Sequence, residues 1–142
     1  MNKKVINATA VSQDGINFRS KSERTMYNLL KESGLKFWYE SEPITLLEGF
    51  YPLPWYEGTK EHTEKIRKMT YTPDFVGDNF IIEAKGRPND VWPYKWKWFM
   101  WSLLNKGLAE KYKLFVVHNH KETDKCIKYI LELNNYESNS NK

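Results

Sequence analysis

The chain has 142 residues, about one domain's worth, and 40% of them are hydrophobic, which excludes a disordered polymer and allows a single buried core. No run of 18 or more apolar residues occurs, so no membrane-spanning helix is expected, and the polar start Met1-Asn2-Lys3-Lys4 lacks the apolar stretch of a secretory signal. The lone Cys126 excludes an internal disulfide framework and fits a cytoplasmic location, while 22 Lys+Arg against 18 Asp+Glu permits nucleic-acid binding without requiring it.

In chain order, residues 1–16 are polar with weak alternation and are expected to form a short strand or a loose arm. Ser20 to Ser33 has Met26, Leu29 and Leu30 at helical spacing, with Gly34 placed to end a helix. Leu35 to Tyr39 is aromatic and extended in character. Residues 41–70 form a proline-broken, charged segment expected to be an irregular excursion, with Glu57 to Lys68 exposed. Tyr71–Val76 and Phe80–Lys85 are expected as two strands around Gly77-Asp78-Asn79. A Trp-rich helix follows from Tyr94 to about Lys106, then a strand at Lys113–His118 and an amphipathic helix from about Thr123. The order is that of a single mixed α/β domain over 1–136, with 137–142 as a frayed tail.

The chemistry is concentrated in Thr72-Pro73-Asp74 and, nine residues after Asp74, Glu83-Ala84-Lys85. Alternate residues of a strand share a face, so Glu83 and Lys85 point together. A two- or four-residue hairpin loop that sets Asp74 opposite Ile81 makes Asp74 and Glu83 diagonal neighbours, about 7–8 Å apart at the backbone. A three-residue loop puts them on opposite faces. Two converging carboxylates suit Mg²⁺, which prefers oxygen ligands, and a nearby lysine suits the charge of a phosphate. An isolated E-x-K is usually a pair of solvated charges. Here it ends an Ile-Ile run, where unpaired charge is costly, and it has a Pro-Asp one strand upstream.

Tyr71-Thr72-Pro73-Asp74-Phe75 with Ile82-Glu83-Ala84-Lys85-Gly86 resembles the core of the PD-(D/E)xK nucleases. Phe18-Arg19-Ser20-Lys21-Ser22-Glu23 together with Gly34-Leu35-Lys36-Phe37-Trp38-Tyr39-Glu40 is similar to the phage endonuclease I family of Holliday-junction resolvases. The likeness covers roughly residues 16–120. It implies a restriction-endonuclease-like fold, a mixed central sheet flanked by helices, in an intertwined, domain-swapped homodimer. It implies Asp74, Glu83, the backbone carbonyl of Ala84 and Glu23 as ligands of Mg²⁺ (with Mn²⁺ able to substitute, two ions per site) and Lys85 as the catalytic lysine. Glu23 then completes the partner's site, and the substrate is branched DNA such as a four-way junction, cut by paired nicks in the host cytoplasm. Residues 41–70 depart from the family in being longer, richer in proline and more charged. Other readings of the same residues are a PD-(D/E)xK nuclease of restriction, repair or transposon-end type, and a non-catalytic basic nucleic-acid-binding module.

Several residues carry two readings. Ser20-Lys21-Ser22-Glu23 is also an S-x-x-E capping box, in which Glu23 bonds back to the helix start. Trp96, Phe99, Met100 and Leu103 form one helical stripe, and Tyr94, Trp98 and Trp101 a second, for burial within the chain or against a partner, or for base stacking. Arg19, Arg87, Lys95 and Lys97 are candidate phosphate contacts and equally good solvated cations. His118 and His120 lack a third metal ligand at matching spacing, so His118 is expected to be structural, His62 exposed, and Cys126 a small buried apolar residue.

Overall fold

Asp14 and Gly15 both adopt positive φ, 54° and 75°, the backbone of a tight two-residue hairpin turn. They join β1 (Val11–Gln13) to β2 (Ile16–Phe18), in a computed structural model that describes residues 11–53, 65–85 and 91–140. The segment expected as a strand or loose arm is thus, from residue 11 on, an ordered hairpin. Asp14 anchors it to the following helix α1 (Lys21–Ser33), accepting from Lys31 at 2.7 Å and from the Tyr27 hydroxyl at 3.2 Å. Phe18 is fully buried between the rings of Tyr27 and Tyr39.

Ser20 and Gly34 delimit α1 as their chemistry dictates. The Ser20 hydroxyl accepts the Glu23 N–H at 3.2 Å, satisfying a donor that a helix start leaves unpaired. Gly34 closes the helix at φ 81°, a conformation costing a residue with a Cβ roughly 1–2 kcal/mol. Met26 and Leu30, one turn apart, are buried.

The central sheet has the strand order β3-β6-β7-β8: β3 is Phe37–Tyr39, β6 Phe75–Gly77, β7 Phe80–Ala84 and β8 Lys113–Val117. The first two pairings are antiparallel and the last is parallel, so the sheet is mixed. One face packs on α1 and on α3 (His120–Ser140), through Phe75, Phe80 and Ile82 against Met26, Leu30, Cys126, Ile127 and Ile130. The other packs on α2 (Trp92–Asn105), through Ile81 against Phe99 and Leu103, and Tyr71 joins the same cluster from outside this sheet. Phe80, Ile81 and Ile82 are consecutive and all buried, the signature of a strand covered on both faces. Each such side chain stabilises the fold by about 1.5–3 kcal/mol.

Residues 41–70 are more regular than their prolines suggest. β4 (Ile44–Leu47) and β5 (Met69–Tyr71) pair antiparallel, and Phe50 and Ile66 exchange backbone hydrogen bonds beyond them. This paired neck carries residues 54–64, which lie outside the described residues together with most of the Glu57–Lys68 run and His62. Residues 65–68 are exposed, as expected.

Four boundaries differ from expectation. Tyr71–Val76 is not one strand: β5 ends at Tyr71 and β6 starts at Phe75 in a different sheet, because Pro73 has no N–H to continue a ladder. α2 starts at Trp92, with Pro93 tolerated in its first turn. α3 starts at His120 because Asn119 caps it, its Oδ1 accepting the Glu122 N–H at 2.9 Å. That helix continues through Ser140, with residues 137–140 as its exposed last turn.

On α2 the first stripe is buried at Phe99 and Leu103, while Met100 is exposed. Of the second, Trp98 packs inward, and Tyr94 and Trp101 are exposed. Among the described residues no helix is long and apolar enough to cross a membrane.

Candidate active site

The hairpin register determines which carboxylates meet. Phe75 pairs with Ile82 and Val76 with Ile81, which makes Asp78-Asn79 the two-residue loop. One step further along this register, Asp74 stands directly opposite Glu83. The shared face is the expected one, but the pair is direct rather than diagonal, because the loop lies one residue later than Gly77-Asp78. Gly77 stays in the strand since the Phe80 ring occupies the space of a side chain there. On the other side, Tyr39 pairs with Phe75, so Glu40 comes opposite Asp74. Glu40, Asp74 and Glu83 thus form one row across three neighbouring strands.

Asp74 and Glu83 are both buried. The Ala84 N–H donates to Asp74 Oδ2 at 2.8 Å, and the Asp74 N–H approaches Glu83 Oε2 at 3.3 Å. The Tyr71 hydroxyl donates to the same Glu83 oxygen at 2.5 Å. Burial, then the charges of Glu83 and Glu23, push the Asp74 carboxyl well above the usual carboxylate range. Burial and the Glu83 charge likewise raise the Tyr71 hydroxyl, keeping it a donor.

Lys85 follows β7 directly, its N–H held by the Val117 carbonyl at 2.8 Å. Its Nζ lies 3.1 Å from Glu83 Oε1 and 5.1 Å from the centre of the Trp92 ring. Asp74, Glu83 and Lys85 are therefore brought together.

Glu23 forms only half of a capping box. Ser20 accepts its backbone N–H, but its carboxylate accepts from the Tyr39 hydroxyl at 2.5 Å. Burial raises its carboxyl, and the Tyr39 and Arg19 contacts moderate the rise. Oxygens of Glu23, Glu40 and Asp74 lie within 4.8 Å of one another. All three belong to one chain.

Glu40 is the member that the sequence pattern did not mark as a site residue. It ends β3 at φ 45°, its N–H bonds the Asp74 carbonyl at 2.8 Å, and its carboxylate pairs with Arg19 at 2.6 Å. Its place opposite Asp74 depends on a strand pairing between distant segments, and period-2 alternation within β3 alone carries no such signal.

The candidate DNA contacts divide. Arg19 is engaged by Glu40 and Lys95 by the Thr70 carbonyl at 3.3 Å, so neither is a free surface cation, whereas Lys97 is exposed and Arg87 lies outside the described residues. His118, exposed just past β8, has a ring nitrogen 2.9 Å from the Glu122 carboxylate, and its backbone N–H donates to the same group. Those bonds hold the Glu122 carboxyl below its usual value. His120 is exposed at the start of α3. Cys126 is buried, and burial raises its thiol to about 12.

Glu23, Glu40, Asp74 and Glu83 face two cations, Arg19 and Lys85. That excess of partly desolvated negative charge is costly without a further cation. The donors are all oxygen, the chemistry of a hard divalent ion, so the residues fit Mg²⁺ or Mn²⁺. Compared with known protein families, with curated proteins and with solved structures, the chain matches none of them.

Proposed function

We propose that the chain is a divalent-metal-dependent DNA endonuclease of the PD-(D/E)xK type, hydrolysing phosphodiester bonds. The observation that supports this best is the direct opposition of buried Asp74 and Glu83, with the Lys85 amine 3.1 Å from Glu83. Acids that repel one another, set beside one amine, gain a purpose when a cation and an anionic phosphate join them.

In this proposal Asp74 and Glu83 hold the metal, with Glu23 and the Ala84 carbonyl as further ligands and Glu40 beside them. Bound there, Mg²⁺ supplies charge neutralisation at the phosphate and acidification of a water. The chain's own groups do the rest. The Ala84 N–H and the Tyr71 hydroxyl fix the two carboxylates, so little reorganisation is needed when the substrate arrives. Lys85 presents its amine to the phosphate oxygens, or holds the attacking water beside them. The net charge of +4, with four carboxylates gathered in the site, leaves the remaining surface more positive still and suited to DNA.

The narrower proposal is a resolvase making paired nicks in four-way junctions as a homodimer, domain-swapped or otherwise. It rests on the resemblance of the Phe18–Glu23 and Gly34–Glu40 segments to the endonuclease I family. Since Glu23 and Asp74 meet within one chain, the dimer's role in this proposal is to bring a second complete site to the symmetric junction.

The test is cleavage of a synthetic four-way junction, a nicked duplex and a linear duplex, with Mg²⁺ and with EDTA, by wild type and Asp74→Asn. Metal-dependent cutting lost in the variant is expected. Wild type that cuts no DNA, or a variant that cuts equally well, sinks the nuclease proposal. Equal cutting of junction and duplex removes only the branch selectivity.

A further inference from the structure

We infer that Trp92 and Tyr71 are positioning residues that together hold the Lys85 amine and the Glu83 carboxylate in working alignment. No expectation drawn from the PD-(D/E)xK pattern requires either aromatic. The inference rests on the nuclease proposal for its rate readout but not for its geometry.

Lys85 lies just beyond the end of β7, where the strand ladder fixes its backbone but not its four-carbon side chain. Two contacts fix the amine instead. Glu83 Oε1 is 3.1 Å away, and the Trp92 ring centre is 5.1 Å away, within cation–π range. The Lys85 side chain is largely buried, which strengthens attraction between the ring and the cation. Glu83 is constrained from its other oxygen, since the Tyr71 hydroxyl donates to Oε2. Both aromatics are themselves held. Trp92 stacks on Trp96 at 5.5 Å with the planes 24° apart, and Tyr71 packs against Trp96 and Phe99. A continuous aromatic wall, running from β5 to the first two turns of α2, therefore backs the Glu83–Lys85 pair.

The wall has a chemical use. When a phosphate draws the amine away from Glu83, the ring face still attracts the cation and keeps it from swinging out to water. Glu83, held by Tyr71, stays in place as Lys85 leaves it. The aromatic face thus gives Lys85 a second hold that an anionic substrate does not compete for.

The direct readout is the NMR shift of the Lys85 ε-methylene in the metal-free protein, assigned by its loss in Lys85→Arg. Ring current from Trp92 is expected to move it upfield in wild type and in Trp92→Phe. In Trp92→Leu it is expected at its ordinary position, with core methyl resonances unchanged. In cleavage assays with Mg²⁺, Trp92→Leu is expected to lower kcat about tenfold with KM unchanged, and Trp92→Phe to regain most of the rate. Tyr71→Phe is expected to raise the Mg²⁺ concentration needed for half-maximal cleavage while leaving the Lys85 resonance upfield. An ordinary Lys85 shift in wild type, or a Trp92→Leu protein with undiminished kcat, overturns the inference. Wild type that cleaves no DNA but shows the upfield resonance overturns the nuclease proposal instead, because the resonance reports the position of Lys85 without turnover.

Discussion

Asp74 and Glu83 are tied to each other through the backbone: Ala84, next to Glu83, donates its N–H to the Asp74 carboxylate at 2.8 Å, and the Asp74 N–H points at Glu83 Oε2 from 3.3 Å. Two like charges are thereby locked face to face in a buried place, against the interest of folding. Asp74→Asn keeps an acceptor for Ala84 and removes one charge. We predict that it raises the thermal midpoint of the metal-free protein by several degrees while abolishing Mg²⁺-dependent cleavage. Saturating Mg²⁺ should raise the midpoint of wild type and leave the variant where it is. Calorimetry and the junction assay check the two halves.

The same repulsion predicts an unusual response to pH. Asp74 and Glu23 both have folded-state values raised above their unfolded ones, chiefly by burial. Between the two values the folded protein holds protons that the unfolded chain has released. Their contribution is therefore most favourable below the unfolded values, about 4, and is lost as pH rises through the folded ones. The metal-free protein is expected to gain stability on mild acidification from neutrality, and Asp74→Asn to flatten the trend. Denaturant midpoints measured across pH 4–8 decide it; a wild-type midpoint that falls on acidification contradicts the assignment.

Ser20 and Glu23 share a helix start, but their side chains make separate contacts. Ser20→Ala removes the acceptor for the Glu23 N–H and is expected to cost about 1 kcal/mol with kcat unchanged. Glu23→Gln leaves the cap intact and is expected to lower cleavage without loss of stability. Equal stability loss in both, with normal cleavage in both, returns Glu23 to a purely capping role.

Gly77 sits under the Phe80 ring, and a methyl group there meets that ring. Gly77→Ala must push the fully packed Phe80 out of the core between β6, α1 and α3, at a cost of roughly 1–3 kcal/mol. Urea denaturation reads the loss, and it should shrink when Phe80→Leu is added to make room.

Much of this was legible in the residues. Ser20 and Gly34 bracket α1, the Lys113–Val117 run forms a buried-type strand, and period-2 alternation with a two-residue loop puts Glu83 on the face of Asp74. Local chemistry decides such features. Asp14-Gly15 was equally local, a strong hairpin dipeptide whose flanking strands are short enough to pass for an arm. Glu40 was beyond reach, since its role depends on β3 finding β6 across the whole excursion, and the chain does not encode that register in any short window. Met100 illustrates the opposite failure: it shares the helical phase of Phe99 and Leu103 but is exposed.

The antiparallel neck of β4 and β5, closed by Phe50 and Ile66, returns the chain to the central sheet. Glu40 leads into the neck and Asp74 follows it, and both are held by the central sheet rather than by whatever the neck carries. Segments grafted between Leu53 and Lys65 can thus change length and composition without altering the spacing of the acids.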